Sequence, residues 1–328
     1  MSSFLADKRV LVTGATGSFG KKFIERLLSE TQVSRVVAFS RDELKQFEMQ
    51  AEFSSSKLEF VLGDVRDLSR VLQVTKDTDV IIHAAAMKQI PAAEFNPMEA
   101  IKTNILGAEN IVNAAIANQV ERVIALSTDK AANPANLYGA TKLCSDKLMI
   151  AGNYISKSSR TSFSVVRYGN VLGSRGSVIP FFKKSAASGS IPITDLRMTR
   201  FWLTLNQGVT LVLNALENMH GGEIFVPKIP SFKVTDVARL VAPGIPTYVI
   251  GIRPGEKLHE IMITEDDSHV TVDCGEYYVI LSPKLKASGM YSEFSNPVPE
   301  GFTFRSDTNA QWFDDESFLT LLRENNIL

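Results

Sequence analysis

One short stretch near the start restricts the possible folds more than any other. Arg9-Val10-Leu11-Val12-Thr13 is an apolar, β-branched run, the pattern of a parallel strand buried on both faces. It leads directly into Gly14-Ala15-Thr16-Gly17-Ser18-Phe19-Gly20, and an amphipathic helical stretch from Lys21 to Ser29 follows. The glycines are spaced G-x-x-G-x-x-G. Gly14 permits a tight turn, Gly17 admits a pyrophosphate to the backbone, and Gly20 lets helix and sheet pack closely. The free N–H groups at the helix start then face the phosphates. A glycine pattern alone is weak evidence, but a strand before it and a helix after it make a dinucleotide site the expected reading.

The rest of the first half fits that expectation. Val36–Ser40, Asp79–Ala86, Arg122–Leu126 and Phe163–Arg167 read as further strands, and Glu59–Val65 as a strand then a turn. Helical patterns alternate with them, including a long one from Asn96 to about Asn118 and another from Asn136 to about Asn153. Strands and helices in alternation predict an α/β fold, a Rossmann-type doubly wound parallel sheet. The expected division is residues 1–170 for the cofactor and 171–328 for a smaller, less regular substrate-binding region. Asn206–Met219 reads as a helix returning to the sheet, and Arg253–Glu260 as a loop leading into a helix.

Bulk composition narrows the partners. The net charge of −1 gives no general attraction for nucleic acid or an anionic membrane. Two cysteines make neither a disulfide framework nor a metal-ligand cluster, and no metal is expected. The first residues lack the apolar core of a secretion signal, and no run of about 18 uncharged apolar residues reads as a membrane span. A cytoplasmic protein is the expectation.

The chemistry concentrates in Leu126-Ser127-Thr128-Asp129-Lys130 and Tyr138-Gly139-Ala140-Thr141-Lys142. The first stretch ends a strand, where open α/β sheets place their ligands. The second opens a helix, so Tyr138 and Lys142 share one face. A free phenol titrates near ~10, too high for a base at neutral pH. An ammonium from Lys142 and a positive nicotinamide would lower that value, so that Tyr138 takes a hydroxyl proton as hydride leaves. Lys142 would also hold the ribose, and Thr128 or Ser127 would bond the reacting oxygen. Asp129 and Lys130 add a second acid/base pair. A sugar oxidised at C4 has an acidified C5 proton, so a base there and an acid near C6 permit elimination of water.

The strand after the glycine turn ends in Ser40-Arg41-Asp42-Glu43-Leu44-Lys45 rather than in a lone acid. Arg41, Lys45 and the Ser40 hydroxyl suit a 2′-phosphate, so NADP is expected over NAD; Asp42 is the competing feature, since it suits a ribose hydroxyl. Asp64 is placed either to reach the adenine or to cap a helix. Val65, the small residues Ala84, Ala85 and Ala86, Asn104 and Tyr168 complete the expected cofactor set. Arg175, Arg200 and Arg253 supply cations for a diphosphate.

These residues together resemble the extended short-chain dehydrogenase/reductase family. Gly14, Gly17, Gly20, the Tyr138–Lys142 pair and Arg167-Tyr168-Gly169-Asn170-Val171 carry the likeness. Within it, Leu126–Pro134, Asn136–Lys142, Arg197–Trp202 and Arg253–Lys257 look like the inverting UDP-N-acetylglucosamine 4,6-dehydratases that open pseudaminic acid synthesis. Retaining nucleotide-sugar 4,6-dehydratases usually show Asp-Glu where this chain has Asp129-Lys130. The resemblance implies that Asp129 protonates the leaving C6 hydroxyl and that Lys130 exchanges the C5 proton with inversion. It also implies NADP, UDP-N-acetylglucosamine as substrate, and homo-oligomers built on dimers. The substrate-binding candidates are Lys88, Asn170, Ser177, Val178, Thr194, Met198, Arg200, Arg253 and Glu256. The competing readings are a UDP-hexose or UDP-N-acetylhexosamine 4-epimerase, a C5- or C3-epimerising relative, and a dinucleotide-binding regulator without turnover. The last segment, from about Ser282, carries no readable signal.

Overall fold

A computed structural model describes residues 3–155, 160–173, 178–292, 295–325 and 327–328. Its centre is a ten-stranded sheet. The first six strands are β1 (Arg9–Thr13), β2 (Arg35–Ser40), β3 (Leu58–Leu62), β4 (Val80–His83), β5 (Arg122–Thr128) and β6 (Ser162–Tyr168). In space they run β3-β2-β1-β4-β5-β6, all parallel, and Glu223–Pro227 extends the parallel set beside β6. Tyr277–Leu281 then joins antiparallel, followed by Thr271–Asp273 and Asn296–Pro297. The expected doubly wound sheet is present, and its strand order reverses between β1 and β4. That reversal opens a crevice at the carboxyl ends of both strands, where ligands bind in such sheets.

Burial explains the strand compositions. Every residue of β4 is buried, as are Val10–Thr13 of β1 and Val36–Ser40 of β2. Helices cover both faces, so these strands read as continuous apolar runs rather than alternating ones. The helix Ser18–Glu30 buries Phe23, Ile24 and Leu27. The helix Leu205–Asn218 packs against it and against β5 and β6. It begins in a capping box between Thr204 and Gln207, which satisfies two backbone N–H groups at once. Phe201, Phe225, Met262, Ile280 and Phe304 also join the sheet's core. A second apolar cluster holds Ile179, Phe182, Ile193, Met198, Trp202 and Phe318. Among the described residues no helix is long and apolar enough to cross a membrane.

Two local expectations need correction. The long helix is not regular: Pro97–Ile101 and Gly107–Ala117 are joined through a π-helical turn, Lys102–Leu106. Such turns insert one extra residue and recur near functional sites. Arg253–Glu260 does not lead into a helix. It leads into the strand Ile261–Ile263, which pairs antiparallel with Phe304–Arg305 from the tail. The partner strand lies more than 40 residues on, so the local sequence carries no trace of it.

Candidate active site

The glycine turn forms a cradle that side chains would fill. Gly14 has φ +64°, and a Cβ there would lie 2.8 Å from the Ala85 backbone nitrogen. A Cβ on Gly20 would lie 2.6 Å from the Ala15 carbonyl oxygen. The two strand ends are tied together: Thr13 Oγ1 accepts from the Ala84 and Ala85 N–H groups, each at 3.2 Å. The same hydroxyl lies 2.9 Å from His83 Nδ1. Burial pushes the His83 pKa down to about 3, so the ring is neutral and structural.

From this turn a cavity of about 640 Å³ runs along the crevice. Thr16, Gly17, Ser18, Phe19, Ser40, Arg41, Lys45, Asp64, Val65 and Ala84–Ala86 line one end; Ser127, Thr128, Lys130, Tyr138, Lys142 and Tyr168 line the other. An elongated crevice with a glycine cradle at one end and a half-buried Tyr138 beside a buried Lys142 at the other fits a nicotinamide dinucleotide. The nucleotide end has its own ion pairs. Asp42 caps the next helix, accepting from Lys45 N at 3.1 Å, and its carboxylate pairs with the Lys45 ammonium. That bond holds the Asp42 pKa below the usual carboxylate range. Asp64 accepts from Arg66 N at 3.0 Å and from Arg66 Nε at 2.9 Å, and lies 3.8 Å from Arg41 Nη1. Its carboxylate thus serves a turn as well as facing the cavity.

At the other end, β5 ends in Thr128, the 3-10 turn Asp129–Ala131 that follows carries Asp129 and Lys130, and the helix Leu137–Ile155 delivers Tyr138 and Lys142. Gly139 sits where that helix crosses the Lys130 carbonyl; a Cβ there would be 2.1 Å from the oxygen. Asp129 is fully buried, below the cavity wall rather than in it. Its Oδ1 accepts from Thr128 Oγ1 at 2.9 Å and lies 2.9 Å from Lys130 Nζ. Both of those partners reach the cavity. Lys130 Nζ also lies 3.5 Å from Glu260 Oε1, and Glu260 Oε1 lies 3.5 Å from Arg200 Nε.

The two carboxylates differ. Burial pushes the Asp129 pKa up, and Lys130 offsets only part of that rise. Burial also acts on Glu260, but Lys130, Arg200 and Lys257 together hold its pKa below the ordinary value. Asp129 is therefore the carboxyl that takes a proton more readily. Burial alone would pull the Lys130 ammonium down; Asp129 and Glu260 outweigh it and raise its pKa.

Burial pushes the Tyr138 phenol up to about 12, against pulls from Lys130 and a hydrogen bond to Thr128. The cation acting on the phenol here is Lys130 rather than Lys142. Lys142 Nζ donates to Ser145 Oγ at 3.4 Å, and burial lowers its pKa while Asp146 opposes that. Ser127 Oγ donates to Asp146 Oδ2 at 2.7 Å and Thr128 Oγ1 to Asp129 Oδ1 at 2.9 Å, so each hydroxyl at this end has a carboxylate partner.

Other expected residues are divided. Lys88, Asn170 and Val178 line the cavity, and burial pulls the Lys88 pKa down. Asn104 lies in the π-helical turn, buried and outside the lining; it bonds Met87 N at 2.8 Å, Met87 O at 2.9 Å and Thr141 Oγ1 at 2.9 Å. It clamps the loop after β4. Thr194, Met198, Arg200, Arg253 and Glu256 do not line the cavity. Met198 joins the second apolar cluster, and Arg253 and Glu256 pair with each other. Arg200 is buried, donating to the backbone carbonyls of Thr199, Lys257 and Leu258 at 2.7–3.1 Å. Ser177 and Arg175 lie outside the described residues. Sequence reasoning missed Glu260, which the reading of Arg253–Glu260 leaves at the end of a loop, and the lining residues Gln89, Thr103, Trp202 and Leu205.

A doubly wound sheet with a glycine cradle, and a Tyr and Lys one turn apart beside the crevice, is the architecture of the extended short-chain dehydrogenases/reductases. More narrowly, the chain belongs to the family described as polysaccharide biosynthesis protein, whose profile matches residues 10–282. It is 54% identical over 325 residues to the UDP-N-acetylglucosamine 4,6-dehydratase (inverting) of Campylobacter jejuni strain 81-176, covering 96% of this chain and 97% of that one. It is 43% identical to a UDP-glucose 4-epimerase of Rickettsia bellii strain OSU 85-389, covering 84% and 83%. Among solved structures, Pen from Bacillus thuringiensis superposes with a TM-score of 0.92 at 37% identity, covering 99% and 100%. The dTDP-glucose 4,6-dehydratase DesIV from Streptomyces venezuelae, solved with NAD, shares the fold with a TM-score of 0.68 at 21% identity, covering 76% and 86%.

Proposed function

We propose that this protein is a UDP-N-acetylglucosamine 4,6-dehydratase that inverts C5. The observation that carries the reading is Asp129 beside Lys130 at the reacting end of the cavity, in a chain 54% identical to a dehydratase of that kind over nearly its full length. A 4-epimerase needs no second acid/base pair, which sets the relatives of that kind in second place.

A nicotinamide dinucleotide, held by the Gly14–Gly20 cradle and by Tyr138 and Lys142, would supply the hydride acceptor for C4 and the hydride donor for C6. Tyr138 takes the C4 hydroxyl proton, and Thr128 holds the same oxygen. Lys130 takes the C5 proton, which the new C4 carbonyl has acidified. Asp129, the carboxyl more easily protonated, supplies the proton with which the C6 hydroxyl leaves as water. Because Asp129 is covered, that proton passes through Thr128 Oγ1, 2.9 Å away. Transfer of one proton from Lys130 to Asp129 turns an ion pair into an amine base and a carboxylic acid together. Lys130 then exchanges the proton at C5, with inversion.

The deciding experiment incubates the protein with UDP-N-acetylglucosamine in heavy water and follows product mass and deuterium. Loss of one water with deuterium at C5 is the expected result; a product of unchanged mass moves the assignment to an epimerase. For the cofactor we favour NADP, supported by Arg41 and Lys45 at the cavity's nucleotide end and by Asp42's engagement as a helix cap. Titration with both dinucleotides should show tighter binding of NADP, and Arg41→Ala should narrow the difference; a preference for NAD rejects this assignment. Supply of a pseudaminic-acid-type route and assembly into homo-oligomers built on dimers complete the proposal.

A further inference from the structure

The carboxylate of Glu260 is more buried than a surface ion pair requires, and nothing in the proposed steps uses it. Its residue is 2% exposed. Oε1 is shared between Lys130 Nζ and Arg200 Nε, 3.5 Å from each. Oε2 is buried with no hydrogen-bond partner among the described residues. A buried charge without full hydrogen bonding is costly. The backbone around it is fixed from the tail: Glu260 N donates to Ser306 Oγ at 2.9 Å, and Ser306 N donates to Glu260 O at 2.9 Å. Ser306 is itself fully buried and lies 2.7 Å from Thr199 Oγ1.

We infer that Glu260 is a positioning residue for Lys130: it holds the amine towards C5 and stabilises the ammonium formed when Lys130 takes the C5 proton. The logic parallels a buried carboxylate that orients and supports a catalytic histidine. The inference rests on the dehydratase reading. The groups that face Lys130 are Asp129 on its own strand end, Tyr138 on the following helix, Glu260 and Lys257 on the loop before Ile261–Ile263, and Arg200 from Thr199–Leu203. Asp129 and Glu260 raise the affinity of Lys130 for a proton, and Arg200 lowers it. Lys257 is held aside by the Ala132 carbonyl oxygen, 2.7 Å from its Nζ. Removal of Glu260's charge and removal of Arg200's charge should therefore act in opposite directions.

The test measures pH profiles of kcat with UDP-N-acetylglucosamine for the wild type, Glu260→Gln, Glu260→Asp and Arg200→Gln, with melting curves for each. In Glu260→Gln the acidic limb should move down by about one unit or more, because an opposite charge near the lysine is lost. In Arg200→Gln it should move up, and in Glu260→Asp, which keeps the charge, it should stay nearer the wild type. A fall in kcat with no movement of the limb in whichever variants melt cooperatively, or movement in one common direction, overturns the inference. Wild-type protein that does not dehydrate the substrate rejects the dehydratase reading instead, so the two failures are distinguishable.

Discussion

Lys130→Ala should slow dehydration by about 10²–10⁴-fold, the usual contribution of a positioned proton-transfer group, while cofactor binding persists. The side chain lines the reacting end of the cavity, whereas Arg41, Lys45 and the glycine cradle lie at the nucleotide end. Deuterium uptake at C5 should be lost with dehydration. The substitution also leaves Asp129 and Glu260 without their shared cation, and breaking a buried pair typically costs about 3–5 kcal/mol. That penalty has a pH signature. Asp129 has its folded pKa raised by burial, so its contribution to stability is present below the unfolded value and is lost as pH rises through the folded one. Without Lys130 to oppose burial, the folded value rises further. The melting deficit of the variant should thus be small near pH ~4 and grow towards neutrality. Dinucleotide binding measured by fluorescence, C5 exchange and melting curves against pH check the three parts. Normal turnover removes Lys130 from the mechanism.

Gly139→Ala should destabilise the protein by about 1–3 kcal/mol, the range for forcing an extra methyl into a packed site. In an ordinary helix interior the same change stabilises by about 1 kcal/mol, so the sign is diagnostic. Here the added Cβ would lie 2.1 Å from the Lys130 carbonyl oxygen and 3.1 Å from Pro134 Cβ. Neither a backbone oxygen nor a proline ring can swing away, so the strand end or the helix must shift. Displacement of the Lys130 backbone by about 1 Å is enough to lower kcat by about 10²-fold. A lowered melting temperature together with a disproportionate loss of kcat is the expected pair of results. A melting temperature equal to or above that of the wild type contradicts the packing described.

How much of this was legible in the sequence depended on the range of the interaction that fixes each part. The Gly14–Gly20 turn was readable because backbone geometry and close approach are decided within seven residues. The parallel strands were readable because burial on both faces leaves a continuous apolar run. Tyr138 and Lys142 were readable because helix periodicity places them on one face. Asp129 was found, but its burial was not, since that depends on the helix and loop laid over it. Arg200 has the chemistry of a diphosphate ligand in isolation; its use as a backbone clamp is set by Thr199, Lys257 and Leu258. Glu260 was invisible because its partners, Lys130 and Arg200, lie 130 and 60 residues away. The strand Ile261–Ile263 was missed for the same reason, as its partner is in the tail.

That tail pairing bears on how the protein matures on the ribosome. Every residue of the cofactor cradle and of the Asp129–Lys142 stretch is made in the first half of synthesis. Ser306 and Phe304–Arg305, which fix Glu260 and pair with Ile261–Ile263, emerge only near the end. A nascent chain can thus assemble the early strands of its sheet long before the carboxylate beside Lys130 has its support.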